Sequence, residues 1–181
     1  MKNFIIVIMV SHFFTSCSTT MNQAVYDKQS KTKMLVGLSN RGGLQLDPFA
    51  VWFNKEYGAY ALNKEAVHMI NNDNENLSIV LFMGTWCGDS RREVPRIYRI
   101  LDAADFDESR LTLINVDRKK KSPDGEEKGL NIHHVPTLIL YKNRSEIGRV
   151  IELPIQSLEE DMAAIINGEK YTPNYSDFGE N

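Results

Sequence analysis

Gly84-Thr85-Trp86-Cys87-Gly88-Asp89-Ser90 places a single cysteine between an apolar run and an amphipathic run. The preceding run, Ser78 to Met83, is typical of a buried strand, and the apolar residues that follow recur at helical spacing. These residues are Val94, Ile97, Leu101 and Ala104. The pattern predicts Cys87 at the first turn of a helix, where unpaired backbone N–H groups and the helix dipole favour a thiolate.

Two segments in the right order resemble the thioredoxin family. Trp86-Cys87-Gly88-Asp89-Ser90 is similar to the family signature Trp-Cys-Gly-Pro-Cys, and Pro95 has the spacing of the family's helix-kinking proline. Val135-Pro136-Thr137 opens a second apolar run, as the family's cis-proline loop does. A strand candidate, Leu111 to Val116, separates the two segments. A single match of this kind is weak, whereas two in order are specific.

The resemblance covers residues 77–167 and implies a fold class and a site. The expected fold is a thioredoxin-like three-layer α/β/α sandwich with a central mixed sheet and a helical N-terminal extension. The expected reactive group is the Cys87 thiol. The expected surroundings of this thiol are Trp86, Gly88, Asp89 and Ser90 on the motif side, and Val135, Pro136, Thr137 and His134 on the loop side.

The departures from the family pattern restrict the chemistry. Ser90 stands at the place of the second, resolving cysteine, so the motif forms no intramolecular disulfide. Asp89 replaces the usual proline, and its carboxylate disfavours a neighbouring thiolate. Leu81 and Leu113 stand where typical members bury an aspartate and its lysine partner. The resemblance therefore implies that the proton-transfer groups of a dithiol enzyme are absent.

Three polar features lie near the motif, and two of them have two interpretations each. Arg91 and Arg92 at the helix start either hold a substrate carboxylate or pair with Asp89 and Glu93. Ser90, one turn after the cysteine, is expected to donate a hydrogen bond to the Cys87 sulfur. His134 is either a base for the thiol or a solvent-exposed loop residue.

Composition bounds the function classes. The chain has 181 residues, 42% of them hydrophobic, which suits one domain with an extension. Its net charge of −3 gives no reason to expect nucleic acid as a partner. The basic run from Arg118 to Lys121 is expected in a solvated loop. One thiol and two adjacent histidines do not provide a tetrahedral metal site, so neither a metal nor another cofactor is predicted.

The N-terminus has the pattern of a targeting signal. Lys2 is followed by an apolar core from Phe4 to Val10 and by Phe14-Thr15-Ser16-Cys17, which resembles the lipobox of bacterial lipoproteins. We expect residues 1–16 to be removed and Cys17 to carry lipid, which anchors the protein in the bacterial cell envelope on the periplasmic side or at the outer membrane. A plain cleaved signal, giving a soluble periplasmic protein, is the alternative.

The remaining chain divides into four segments. We predict a flexible tether over 17–33, an extension with aromatic-rich helices over 34–76, a thioredoxin-like domain over 77–168 and a loose polar tail over 169–181. Within them, Met34 to Leu38 is a candidate first strand. Later apolar runs predict strands at Leu138–Tyr141 and Ile147–Ile151, and Ser157 is expected to cap a last helix. The whole pattern resembles thioredoxin-like lipoproteins of the Bacteroidota envelope.

Two functions fit this pattern. The first is monothiol disulfide exchange through Cys87, which covers disulfide isomerisation, deglutathionylation and capture of a mixed-disulfide partner. The partners are then proteins that carry thiols or disulfides, together with a low-molecular-weight thiol. The second is a redox-inactive binding module whose groove beside Pro136 holds an extended peptide or a partner protein.

Overall fold

A computed structural model describes residues 20–72 and 75–178 of the chain. The strands in this part are β1 (Ala24–Asp27), β2 (Thr32–Leu35), β3 (Gly37–Ser39), β4 (Leu77–Met83), β5 (Leu111–Asn115), β6 (Thr137–Lys142) and β7 (Ser145–Ile151). The helices are α1 (Arg41–Leu44), α2 (Ala50–Ala59), α3 (Lys64–Asn72), α4 (Gly88–Ala103) and α5 (Leu158–Ile166). The predicted signal segment and Cys17 lie outside the described residues. Within those residues, no helix has the length and apolar character needed to cross a membrane.

Five strands form one mixed sheet in the order β3-β5-β4-β6-β7. Strands β4 and β5 are parallel, and the other neighbouring pairs are antiparallel. Helices pack against this mixed sheet, which confirms the predicted thioredoxin-like α/β fold class. Among the described residues, loops rather than helices form the third layer of the expected sandwich. The four strands predicted from apolar runs correspond to β4, β5, β6 and β7 within two residues at each end.

The two faces of the sheet are covered differently. On one face, α2, α3, α4 and α5 contribute buried residues to one large cluster, which we call the helix-side core. On the other face a smaller cluster, the loop-side core, contains Phe82, Ile114, Val116, Ile132, Val135 and Ile139, with Trp86 and Cys87 packed against it. The redox motif therefore lies where a helix of the first face meets the apolar surface of the second.

Helix α4 is held on the sheet by an apolar stripe. Val94, Ile97 and Leu101 are buried at the spacing that the sequence predicts. Tyr98 packs edge-on against Phe53 of α2, with ring centroids 5.7 Å apart. Each such side chain stabilises the fold by roughly 1.5–3 kcal/mol through removal of apolar surface from water. The contact fixes the orientation of the helix that begins at the motif.

The N-terminal segment differs from its prediction. Residues 24–33 were expected in a flexible tether, but β1 and β2 form an antiparallel hairpin. The single strand expected from Met34 to Leu38 is divided between β2 and β3, because Gly37 adopts a φ of +74° and turns the chain. β3 then pairs with β5 at the edge of the main sheet. Period and polarity gave no signal for this hairpin because its residues are mostly polar.

The C-terminal tail was also expected to be loose, and its described part is instead held against the domain. The Tyr171 hydroxyl donates to Asp161 of α5 at 2.9 Å. Asn174 donates to the Leu153 carbonyl at 2.9 Å. Further along, Tyr175 and Phe178 contact the two adjacent histidines. Aromatic side chains in a polar tail therefore find ring partners that composition alone does not indicate.

Candidate redox site

Cys87 is the residue that precedes α4, the position that the spacing predicts. Its backbone is extended, with φ −85° and ψ 131°, and its carbonyl accepts the first helical bond from Arg91 N at 3.1 Å. The loop before it is closed by a hydrogen bond from Cys87 N to Gly84 O at 2.8 Å. The thiol is half-buried, and Cys87 is the one cysteine among the described residues. A sulfur at a helix start with partial exposure is accessible to a partner.

The second half of the site comes from the loop before β6. In the sheet, Phe82 pairs with Thr137, so the residues just before Thr137 lie beside those just after Phe82. The Val135–Pro136 peptide bond is cis. The Cys87 thiol donates to the Val135 carbonyl at 3.2 Å. The topology therefore joins the two segments that the resemblance paired, although 48 positions separate their contacting residues.

Ser90 does not act as the sequence predicted. It is fully buried, and its hydroxyl oxygen accepts a hydrogen bond from Gly84 N at 3.2 Å. The hydrogen bonds recorded across residues 20–72 and 75–178 include none between Ser90 and the Cys87 sulfur. In place of the expected donation to the sulfur, the structure shows a bond that closes the motif loop. Ser90 supports the loop that carries Cys87.

Leu81 and Leu113 occupy neighbouring places beneath the motif. They are direct partners in the parallel pairing of β4 with β5, and both are buried, at 0% and 1% exposure. Leu138 of β6 pairs with Leu81 from the other side. These positions, where the resemblance expects an aspartate and a lysine, form a continuous apolar layer. The layer has no group that takes up or releases a proton.

Trp86 forms a wall of the site. Its indole Nε1 donates to the Val116 carbonyl at 2.8 Å, which ties the motif to the end of β5. A side chain at Gly84 would meet the indole at 2.6 Å, so glycine is required there. Gly88 is different, because a Cβ at that position meets no atom within 4 Å. The surface above Gly88 is open to an approaching partner.

The charged residues at the helix start pair with one another. Arg92 binds Asp89 at 2.8 Å and Glu93 at 2.5 Å. The hydrogen bond to Glu93, followed by those to Asp89, raises the pKa of Arg92. Arg91, a candidate for holding a substrate carboxylate, directs its Nε to the Thr85 carbonyl at 2.5 Å. Arg91 is therefore used to brace the motif loop.

His134 contacts the tail and has no recorded bond to the thiol. Its ring stacks on Tyr175 with centroids 3.9 Å apart and an interplanar angle of 8°. Its carbonyl accepts from the Thr137 hydroxyl at 2.7 Å, which stiffens the loop around Pro136. A hydrogen bond with Glu152 raises the pKa of the Tyr175 hydroxyl. Among the described residues, no hydrogen bond joins His134 to the Cys87 thiol, and His134 shapes the loop around Pro136.

Known protein families and solved structures include proteins similar to this chain. The model of the thioredoxin family, described as Thioredoxin, matches residues 59–164, more than half of the chain. The chain belongs to the thioredoxin family. A thioredoxin of Chlamydia pneumoniae is 32% identical over 77 residues, which are 42% of this chain and 70% of the relative. A Pseudomonas aeruginosa protein of unknown function shares the fold, with a TM-score of 0.51 and 13% identity over 68% of this chain and 86% of that one.

Membership of the thioredoxin family indicates a thiol–disulfide redox type of function. The described part of this family member keeps Trp86, Cys87, Gly88 and the cis proline, and it has a serine at the fourth motif position. In residues 20–72 and 75–178, no cluster of three or more His, Cys, Asp or Glu side chains has the arrangement of a metal site. The chemistry of the described site rests on one sulfur.

Sequence reasoning missed an ion pair beside the motif. Arg118, assigned to a solvated basic loop, lies over the Trp86 ring, with its guanidinium carbon 5.2 Å from the ring centroid. Its Nη2 binds Asp27 at the end of β1 at 2.8 Å. The hydrogen bonds from Arg118 and Ser30 lower the pKa of Asp27. Asp27 lies outside the residues that match the family, and no periodic signal connects positions that are 91 residues apart.

Proposed function

We propose that this thioredoxin-family protein performs monothiol disulfide exchange through Cys87. The observation that carries the proposal is the position of the half-buried sulfur at the start of α4, 3.2 Å from the Val135 carbonyl of the cis-proline loop. Trp86 walls this position, Gly88 leaves it open and Asp89 pairs with Arg92 at its edge. Ser90 holds the loop but supplies no second thiol.

The reaction has two balanced steps. The Cys87 thiolate attacks one sulfur of a partner disulfide, a mixed disulfide forms, and the other partner sulfur leaves as a thiolate. Because Ser90 cannot attack this mixed disulfide, a thiolate from outside displaces Cys87 and restores its free form. Isomerisation, deglutathionylation and mixed-disulfide capture are all versions of this sequence. The partners are proteins with thiols or disulfides and a low-molecular-weight thiol.

The first test is the persistence of the mixed disulfide. We expect residues 20–181 to form a 1:1 adduct with one half of a peptide dimer that is joined by a single intermolecular disulfide. The adduct should persist once the released half is removed, because no second thiol in the motif resolves it. Addition of glutathione should release the peptide and return free Cys87. Intact-mass measurement follows both steps. The Cys87→Ser variant provides the control and should form no adduct; an adduct that resolves without added thiol would contradict the monothiol scheme.

A redox-inactive binding module is the second candidate, and the replacement of a resolving cysteine by fully buried Ser90 favours it. If the protein is a binding module, an extended peptide binds along the backbone edge formed by Val135, Pro136 and Thr137. The two candidates differ in which residue matters. For exchange, Cys87→Ser removes partner capture; for binding alone, Cys87→Ser leaves association unchanged, whereas Pro136→Ala weakens it by disturbing this edge.

We further propose that Cys17 carries lipid and anchors the protein in the cell envelope, on the periplasmic side or at the outer membrane. The support is the tetrad Phe14-Thr15-Ser16-Cys17 after an apolar segment. We expect labelling by palmitate and recovery in the membrane fraction, both lost in Cys17→Ala. Cys87→Ala is the matched control and should remain in the membrane fraction. A wholly soluble wild type would instead favour a plain cleaved signal and a soluble periplasmic protein.

A further inference from the structure

The N-terminal hairpin contributes a charged pair to the redox site. Asp27, at the end of β1, is 4% exposed. Its carboxylate accepts from Gln29 N at 3.1 Å, from Ser30 N at 3.2 Å and from the Ser30 hydroxyl. Arg118 approaches the same carboxylate with Nε at 3.1 Å and Nη2 at 2.8 Å. Asp27 is therefore oriented by its own turn and in turn orients the guanidinium.

The oriented guanidinium lies beside the motif, over the Trp86 ring. It covers the Trp86 ring at 5.2 Å, and Trp86 is the residue before Cys87. The hydrogen bond to Asp27 is the main cause that raises the pKa of Arg118, and the charge of a Cys87 thiolate adds to it. The guanidinium therefore flanks the motif through the ring of the residue that precedes Cys87.

One nitrogen of this guanidinium is left for a ligand. The hydrogen bonds recorded for Arg118 within the described residues use Nε and Nη2, and none uses Nη1. The Arg118 side chain is 30% exposed, so part of it is open to solvent. The acidic groups nearest to the site, Asp27 and Asp89, are already engaged by arginines. An arginine N–H held in a fixed direction suits a carboxylate.

We propose that Arg118 is a specificity-determining residue that binds, through Nη1, the carboxylate of an anionic thiol or disulfide as its sulfur reaches Cys87. The inference rests on the exchange function proposed above and names the chemical class of its small co-substrate. It also gives the hairpin a role, since Asp27 fixes the direction of Arg118.

The test compares disulfides that differ in charge. Cys87 is treated with dithiodipropionate, which is anionic, with hydroxyethyl disulfide, which is neutral, and with cystamine, which is cationic. In each reaction Cys87 forms a mixed disulfide and one reagent thiolate leaves, which intact mass records. For each protein, the rate with the anionic disulfide is divided by the rate with the neutral one. Comparison of this ratio between Arg118→Gln and the wild type cancels the intrinsic reactivity of the reagents and of the thiol. We expect the ratio to be about threefold lower in Arg118→Gln, the size of one exposed ionic contact.

Three controls make the result specific. Lys119→Gln removes the same charge one position away, where the side chain is exposed, and should leave the ratio unchanged. Arg118→Lys keeps the charge without the fork and should lose part of the preference. Salt at about 1 M should abolish the difference between wild type and Arg118→Gln. Thermal melting of each variant verifies that the fold is retained.

The outcomes separate the two proposals. Equal charge preference in wild type and Arg118→Gln, or an equal loss in Lys119→Gln, would overturn the role of Arg118 and leave the exchange function intact. Failure of all three disulfides to react would contradict exchange itself. In that case the Arg118 contact is tested by the rates at which iodoacetate and iodoacetamide alkylate Cys87. Both reagents need only the thiol, and iodoacetate is anionic whereas iodoacetamide is neutral.

Discussion

We expect Ser90→Cys to form an intramolecular disulfide with Cys87 and to turn the protein into a dithiol reductant. Residues at i and i+3 of a helical start have Cα atoms about 5 Å apart, within the range that a disulfide spans. The Ser90 oxygen already points to Gly84 N in the loop that carries Cys87. A sulfur in that place resolves the mixed disulfide from within the molecule.

The gain is expected to be large because an intramolecular thiol acts at a high effective concentration. Insulin reduction with dithiothreitol as electron donor should rise on the order of 100-fold over wild type. Asp89→Cys is the matched control, since residues at i and i+2 do not face each other on a helix. Intact mass after diamide treatment should show the loss of two hydrogen atoms only in Ser90→Cys. An unoxidised Ser90→Cys would contradict the geometry of the motif.

Local sequence patterns predicted the strand, the helix and the loop that position the site residues. The apolar run that became β4, the helical stripe of α4 and the turn residues around Pro136 each depend on neighbours close in sequence, so a periodic signal exists for them. The junction of β4 with α4 fixes Cys87 at the helix start. These elements were predictable because residues within a few positions determine them.

Long-range polar contacts were not predictable in the same way. Asp27 and Arg118 meet across 91 positions, and the polar hairpin that brings them together has no apolar period. Tyr175 stacks on His134 from a tail whose composition indicates a loose segment. Ser90 bonds Gly84 N rather than the nearby sulfur, a choice between two partners that spacing does not decide. Tertiary packing selects these partners, and a single sequence contains no periodic pattern that indicates them.

The apolar layer beneath the motif explains why the site must work without a buried proton carrier. Leu81 has Leu113 on one side and Leu138 on the other, and all three are buried. The described contacts of this layer give a carboxylate no cationic partner. Restoring the family's aspartate at this position therefore places an unpaired charge in an apolar core.

We expect Leu81→Asp to destabilise the fold by roughly 4–6 kcal/mol at pH 7, which combines the lost packing with the cost of a buried acid. This is a large part of the stability of a small domain, so the variant should unfold at a much lower urea concentration than the wild type. Burial raises the pKa of the introduced carboxyl above its unfolded value of about 3.9. The folded state then holds a proton that the unfolded state has lost, and stability falls as pH rises.

Urea unfolding between about pH 4 and pH 7 measures the unfolding free energy of the variant. The destabilisation by Leu81→Asp should grow by up to about 1.4 kcal/mol per pH unit above the unfolded pKa. Leu81→Asn is the matched control, because asparagine has nearly the same shape as aspartate and is polar but does not titrate. The difference in unfolding free energy between the two variants isolates ionisation from lost packing. A difference that stays constant with pH would mean that water reaches position 81. The expected pH-dependent difference would instead establish that the leucine layer beneath the motif excludes water.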